Sequence, residues 1–319
     1  MAGPMMSDTR KGMAAMIGTC VIWGLSPLYY NLLRHVPPLE VLSHRTLWSL
    51  LFFASILLWQ GRLGQLGQLL RTRRGFVLVA VAGLMISANW FLFILSIQIG
   101  RAVEASLGYY IFPLVAVLLG RAFFKEQLSG LKWVAVGLAF IAVATLTAGL
   151  GAAPWISLVL AFTFGFYGVI KKGISAGPVV SVSGEVLLLA PFAAVWLLGV
   201  HLGGWEGLVG RNLGVFGHNL HDSVMLAFSG VLTATPLILF SYASRRLPLS
   251  TIGVVQYLNP SLQFLCAVLV LGEVVTPWHM VAFPLIWVAL AVFSGETLRQ
   301  DRSARRRVIR AGTSSTTEM

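Results

Sequence analysis

The chain has 319 residues, 57% of them hydrophobic and only 11% charged, with 23 Lys and Arg against 11 Asp and Glu for a net charge of +12. Soluble domains carry about 25% charged residues, so this composition excludes a soluble globular protein and marks an integral membrane one. The positive excess would suit a nucleic-acid partner only if it clustered on a folded surface. Instead it is scattered through short connections and a tail.

A bilayer core about 30 Å thick needs roughly 20 apolar residues per spanning helix, and that rule sorts the chain into ten spans. They cover 12–33, 38–59, 76–98, 105–124, 132–149, 154–170, 178–200, 223–243, 250–271 and 277–295. The first follows Arg10 and Lys11. It is too long for the apolar stretch of a signal peptide and lacks a small-residue cleavage site after it, so it reads as a retained span.

Span two places His44 and Arg45 side by side in "PLEVLSHRTLWSLLFF". Arg45 lies about 10 Å down this helix at 1.5 Å per residue, deep enough that it should face a polar interior or snorkel to the interface. Arg45, Trp48, Ser49 and Phe52 share a helical stripe that could form a cationic and aromatic wall, with His44 either beside it or packed as a core residue. Asn89 in span three is a further polar group near the midplane. Span four carries Tyr109, Tyr110 and Pro113 and is followed by Glu126 and Ser129.

Span six contributes a small-residue face of Ala161, Gly165 and Gly168, and span seven the deep carboxylate, Glu185. Glu185 is the candidate coupling-proton site, with a structural, internally bonded role as the alternative. Only the 201–222 connection is long enough for surface structure, and its "HNLHD" reads as a solvated loop. Span eight holds Thr233 and Thr235; span nine holds Gln256, Tyr257, Asn259 and Pro260, with Glu273 and Thr276 after it. The tail from Arg299 reads as disordered and able to touch anionic lipid. Cys20 and Cys266 lie in apolar runs and read as core residues.

Self-comparison is the most informative step. "YYIFPLVAVLLGRAFFKEQLS" and "QYLNPSLQFLCAVLVLGEVVT" superpose at a constant offset of 147, matching Tyr110 to Tyr257, Pro113 to Pro260, Glu126 to Glu273 and Ser129 to Thr276. "WGLSP" at Trp23 similarly matches "FGFYG" at Phe164, and Arg45 falls on Glu185 at an offset of 140. Each unit has five spans, an odd number, so the second copy enters the membrane inverted. Domains follow: an N-terminal segment 1–11, repeats over 12–149 and 154–295, and a basic tail 296–319.

Inverted repeats are an architecture of secondary transporters, with a midplane cavity between the copies; a channel or a membrane-embedded sensor is the alternative. Pro113 and Pro260 each lack an N–H, leaving the carbonyls of Tyr109 and Gln256 to find other partners. Ser129 and Thr276 read as N-caps, with Pro277 at the first helical position. Glu126 and Glu273 read as structural loop acids.

With the N-terminus inside, the inner segments hold 19 Lys and Arg and the outer ones three, Arg34, Arg101 and Arg211, which puts both termini in the cytoplasm. Ser175 in "GISAG" matches a hydrolase pattern, but that motif needs a strand-to-helix turn. No metal, cofactor or phosphate-cradling motif is present, so the chain reads as a non-enzyme without ATP hydrolysis. Its partners are a small-molecule substrate, the lipid bilayer and protons as a possible coupling ion.

At "HRTLW" (His44), "NWFLF" (Asn89), "EASLGYYIFPL" (Glu104), "FYGVIKK" (Phe166), "TATPL" (Thr233), "LSTIGVVQYLNP" (Leu249) and "FPLIWVALAVF" (Phe283), the chain resembles a RarD-type permease of the EamA family, in the drug/metabolite transporter superfamily. The resemblance implies ten transmembrane helices in two inverted five-helix repeats, a central cavity and export of small molecules through the bacterial inner membrane. One departure is Phe112, where the family places Asn before the proline; Asn259 keeps it in the second copy.

Overall fold

A computed structural model describes residues 3–125, 127–151, 153–205, 214–244, 246–247 and 249–314. Glu126, Arg211 and Arg245 lie outside the described residues, so the role expected for Glu126 is not addressed. The helices are α1 (Gly3–Leu32), α2 (Pro38–Trp59), α3 (Leu63–Arg71), α4 (Arg73–Gln98), α5 (Ala102–Phe124), α6 (Gly130–Leu150), α7 (Trp155–Lys172) and α8 (Pro178–Leu202). They continue with α9 (Leu220–Ser244), α10 (Leu249–Val255), α11 (Leu258–Leu265) and α12 (Pro277–Ser314). Nine of the described helices are long and apolar enough to cross a membrane.

The expected ninth span is discontinuous. α10 stops at Val255, α11 restarts at Leu258, and a π-helical turn over Cys266–Val270 follows. Pro260 has no N–H to give the Gln256 carbonyl, and the Asn259 N–H takes that acceptor instead at 3.1 Å. The Cys20 thiol lies 3.5 Å from the Val255 carbonyl. One backbone N–H and one buried thiol thus serve the backbone acceptors at the break, as an apolar surrounding requires. Pro113, by contrast, sits inside an uninterrupted α5.

Three other expectations change. The 60–75 connection holds α3, whose Leu63, Leu66 and Leu70 lie one helical turn or two apart and give it one apolar face. The described part of the basic tail is helical: α12 runs on to Ser314 because Arg, Gln, Glu and Ala are good helix formers and no Pro interrupts them. Gly168 has open space around it, so the small-residue face of α7 narrows to Ala161 and Gly165.

Helix ends are fixed by specific groups. Thr72 accepts the Gly75 N–H at 3.1 Å and opens α4, while Asn219 accepts the Asp222 N–H at 2.7 Å and opens α9. Ser129 occupies the N-cap position of α6 without a side-chain cap bond. The Thr276 hydroxyl turns to His279 Nδ1 at 2.8 Å rather than to the backbone.

Two carboxylates serve ends that are remote in sequence. Glu40, fully buried in the first turn of α2, accepts from the backbone N–H groups of Gly214, Val215 and Phe216. Glu273 accepts from Ala102 at 2.6 Å and Val103 at 2.8 Å, the orphan donors at the head of α5. Burial pushes the Glu273 carboxyl above its ordinary range, and these two N–H bonds pull it back.

The packing has a regular pattern. α1 packs on α9 and α4 on α7; α2 packs on α9 and α4 on α8; α5 packs on α7 and α1 on α11. Each pairing becomes its neighbour in that series when the first five spans are exchanged for the last five. The self-paired contacts, α2 on α8, α5 on α11 and α6 on α12, lie on the exchange axis. Single residues repeat it: a Cβ on Gly24 would meet Leu262 Cβ at 2.5 Å, and one on its sequence counterpart Gly165 would meet Val115 Cγ1 at 3.2 Å.

Two stability changes follow. A Cβ on Gly230 would approach the Trp48 carbonyl carbon at 2.5 Å, whereas Gly137 has nothing within 4 Å. Gly230→Val should therefore lower stability by about 1–3 kcal/mol through overpacking of α2 on α9, and Gly137→Ala should raise it by a few tenths. Thermal unfolding of the detergent-solubilised protein reads both. In the same assay Glu273→Ala should cost about 1.5–3 kcal/mol, the range for hydrogen bonds to a charged group, and Glu273→Gln less, because the amide still offers one acceptor oxygen.

Candidate functional site

A cavity of about 570 Å³ lies between the helices of the bundle. Sites for drug-sized ligands span about 300–1,000 Å³, so this one admits a single small organic molecule. α1, α2, α4 and α5 contribute Trp23, Ser26, Tyr30, Arg45, Asn89, Trp90, Phe93, Tyr109, Phe112 and Pro113. α7 and later elements contribute Phe164, Tyr167, Lys171, Thr233, Phe240, Gln256, Tyr257, Asn259, Pro260, Gln263, Phe293, Ser294 and Thr297. Its wall is thus shared between the two sets of five spans.

Arg45 reaches this cavity from α2 and is 6% exposed. Its guanidinium lies 4.1 Å from the centre of the Trp90 ring, and one terminal nitrogen donates to the Tyr30 hydroxyl at 2.6 Å. Its Nε has no hydrogen-bond partner among the described residues, and no described carboxylate is within ion-pair distance. The face of the indole stabilises the cation but cannot accept its N–H groups.

The other charged group in the wall is differently placed. Lys171, in the last turn of α7, donates to Glu185 Oε1 at 2.6 Å and to the Ser181 hydroxyl. Glu185 is 1% exposed; Oε1 also accepts from Ser181 at 3.1 Å and Oε2 from Tyr167 at 3.1 Å. This carboxylate is fully served by donors and stands just behind the cavity wall. Tyr30 precedes Lys171 by 141 residues and Arg45 precedes Glu185 by 140. The Arg45–Tyr30 and Glu185–Lys171 contacts therefore occupy equivalent places in the two sets of spans.

The neutral polar groups are largely engaged. Asn89 donates to the Leu160 carbonyl and the Thr163 hydroxyl, both at 2.9 Å, and accepts from the Tyr109 hydroxyl at 2.9 Å. Asn259 Oδ1 accepts from Gln263 at 3.0 Å. Phe112, at the position matching Asn259, turns an aromatic edge to Phe164 with ring centres 4.7 Å apart.

Of the residues singled out from sequence, the structure gathers Arg45, Asn89, Tyr109, Gln256, Tyr257, Asn259, Pro113 and Pro260 around one cavity. Four others lie elsewhere. His44 stacks on Phe216 with ring centres 4.6 Å apart. Trp48 lines a shallow outer groove with Phe52 and Trp59, so the stripe from Arg45 to Phe52 divides between two surfaces. Tyr110 bonds Ser261 at 2.7 Å within the α5–α11 contact, and Thr233 rather than Thr235 reaches the cavity. Sequence reasoning passed over Tyr30, Trp90, Tyr167 and Lys171. Applying the internal offset to Arg45 and Glu185 together with their helical neighbours would have exposed Tyr30 and Lys171.

The model of the EamA-like transporter family matches residues 10–148. Protein RarD of Streptomyces exfoliatus is 40% identical over 302 residues, covering 95% of this chain and 94% of the relative. An uncharacterized transporter of Pseudomonas aeruginosa is 40% identical over 299 residues, covering 93% and 97%. A solved crystal structure, 19% identical, covers 92% of this chain and 98% of its own with a TM-score of 0.57, a likeness of fold. Conserved length, an all-helical apolar bundle and these relatives together place the chain: it belongs to the EamA-like transporter family as a RarD-type membrane permease.

Proposed function

We propose that the protein is a secondary-active carrier that moves a small organic molecule out of the cell by alternating access at the central cavity. The observation that carries this reading is a cavity whose wall is divided between two sets of five spans. If the sets are inverted repeats over 12–149 and 154–295, rocking one against the other exposes the cavity to either side in turn. The exchange pattern of the helix contacts supports that relation, and the family match over residues 10–148 coincides with the first set.

The membrane is the bacterial inner membrane, with both termini cytoplasmic, on the strength of the Lys and Arg asymmetry between alternate connections. Contacts within the chain support the alternation of sides on which that count rests. Glu273 reaches Ala102 and Glu40 reaches Val215, all on the expected outer side, whereas Lys171 and Glu185 meet toward the inner side.

Glu185 is the proposed proton site. Protonation would remove the charge that holds Lys171, a residue of the cavity wall, so proton binding would change the field in the cavity directly. Removing one member of a buried pair leaves the other uncompensated, which supplies the difference between two states that coupling needs.

Two outcomes are expected. In a variant lacking Cys20 and Cys266, a cysteine at Gly100 should react with an impermeant thiol reagent on intact cells, and one at Gly61 only after permeabilisation; the same accessibility at both positions would overturn the orientation. Substrates found by comparing extracellular metabolites of cells lacking and overproducing the protein should show saturable, gradient-dependent flux in proteoliposomes. There Glu185→Gln should abolish proton-driven accumulation while retaining exchange. Non-saturable flux would identify a channel, and unchanged pH dependence would remove Glu185 from coupling.

A further inference from the structure

Resting on the carrier reading, we infer that the substrate is a monoanion with a planar apolar body, its carboxylate received by Arg45 beside Trp90. The two charged contacts occupy equivalent places in the two sets of spans. In the second set of spans the cation Lys171 meets Glu185 at 2.6 Å. In the first, the acid's place is taken by Arg45 and the lysine's by Tyr30, so the contact is a cation on a neutral hydroxyl. One end of the cavity is internally neutralised and the other holds a net positive charge.

That charge is 94% buried, since Arg45 is 6% exposed, and its Nε has no partner. A guanidinium so placed is best served by a planar, bidentate acceptor. Asn89 and Asn259 in the wall are already committed to other donors, and Gln263 Oε1, which has no partner, is a neutral oxygen that brings no counter-charge. The missing counter-charge is therefore the cargo's. A carboxylate meets the fork with two oxygens, and Trp90 stands beside it, its ring centre 4.1 Å from the guanidinium carbon.

The number of charges is limited as well. Arg45 and Lys171 are the charged residues of the lining, and Lys171 is neutralised by Glu185. While Glu185 is ionised, one free cation balances one negative charge. A dianion such as a phosphate monoester would bring a second, uncompensated charge into a dry site. A zwitterion would bring an ammonium, for which no free carboxylate stands in the wall among the described residues. The rest of the lining supplies aromatic faces, including Trp23, Phe93, Phe112, Phe164 and Phe293, which suit a flat apolar body.

The test is equilibrium binding to the purified full-length protein in detergent, read by the change in its tryptophan fluorescence, to which Trp23 and Trp90 in the lining contribute. Phenylacetate and 2-naphthoate are compared with their primary amides, with phenyl phosphate and with phenylalanine. The carboxylates should bind at least about ten-fold more tightly than the amides and more tightly than the dianion and the zwitterion. In Arg45→Gln that preference should collapse while amide binding persists, and Arg45→Lys should restore part of it. Equal binding of acid and amide, no binding by either, or a preference unchanged in Arg45→Gln would overturn the inference. The acid-to-amide comparison on the wild-type protein decides the matter even if Arg45→Gln fails to fold. Anion preference without flux in proteoliposomes would overturn the carrier reading alone, and saturable flux of neutral or cationic compounds without anion preference would overturn this inference alone.

Discussion

Polar atoms withdrawn from water must find partners, and in a low-dielectric interior the requirement is severe for ions and strong for backbone groups. This constraint organises the whole molecule. It sets the carboxylates of Glu40 and Glu273 against backbone N–H groups from distant segments, and it brings the Cys20 thiol to the carbonyl that α10 leaves free. It also closes Ser181, Tyr167 and Lys171 around Glu185. Among the described residues Arg45 Nε and Gln263 Oε1 are two atoms of the central cavity's lining that side chains leave without a partner, and Arg45 carries a charge.

The near-symmetry of the bundle makes the exception meaningful. Packing glycines recur at matched positions, Gly24 and Gly165, because the backbones they allow to approach are arranged alike. Two polar positions at or beside the cavity do not recur. Phe112 stands where Asn259 has its counterpart, and Arg45 where Glu185 does. Fold-level requirements have kept the small residues in register, while the cavity-facing positions have diverged in charge and polarity. A cargo in such a cavity meets a cation at one end and a neutral ion pair behind the wall at the other.

Much of this architecture is legible in the sequence because lipid imposes a simple length and polarity rule on spanning segments. Nine of the ten expected spans correspond to single long helices among the described residues within about five residues, and the offset that links Pro113 to Pro260 joins α5 to α11, which occupy exchanged positions in the packing. Continuity of a helix through proline is harder to read, since it depends on whether neighbours can serve the released carbonyl. The same residue type leaves α5 whole and coincides with a break before α11. Side-chain destination is harder still. Arg45 and Trp48 are three residues apart, yet one enters the cavity and the other the outer groove, because α2 is packed on both α8 and α9. Lys171 was legible as a topogenic charge but not as the partner of Glu185, a pairing made by the approach of two helices across the turn between them.

The carboxylate of Glu273 has a mechanical consequence. It follows the ninth span yet grips the first two amides of the fourth, so it fastens the leading edge of one five-span set to the trailing edge of the other. A motion that parts the sets at that rim must tear both bonds at once and leave a carboxylate facing bare amide groups until water arrives. In a carrier of the proposed kind the clasp would act as a threshold to opening at that rim.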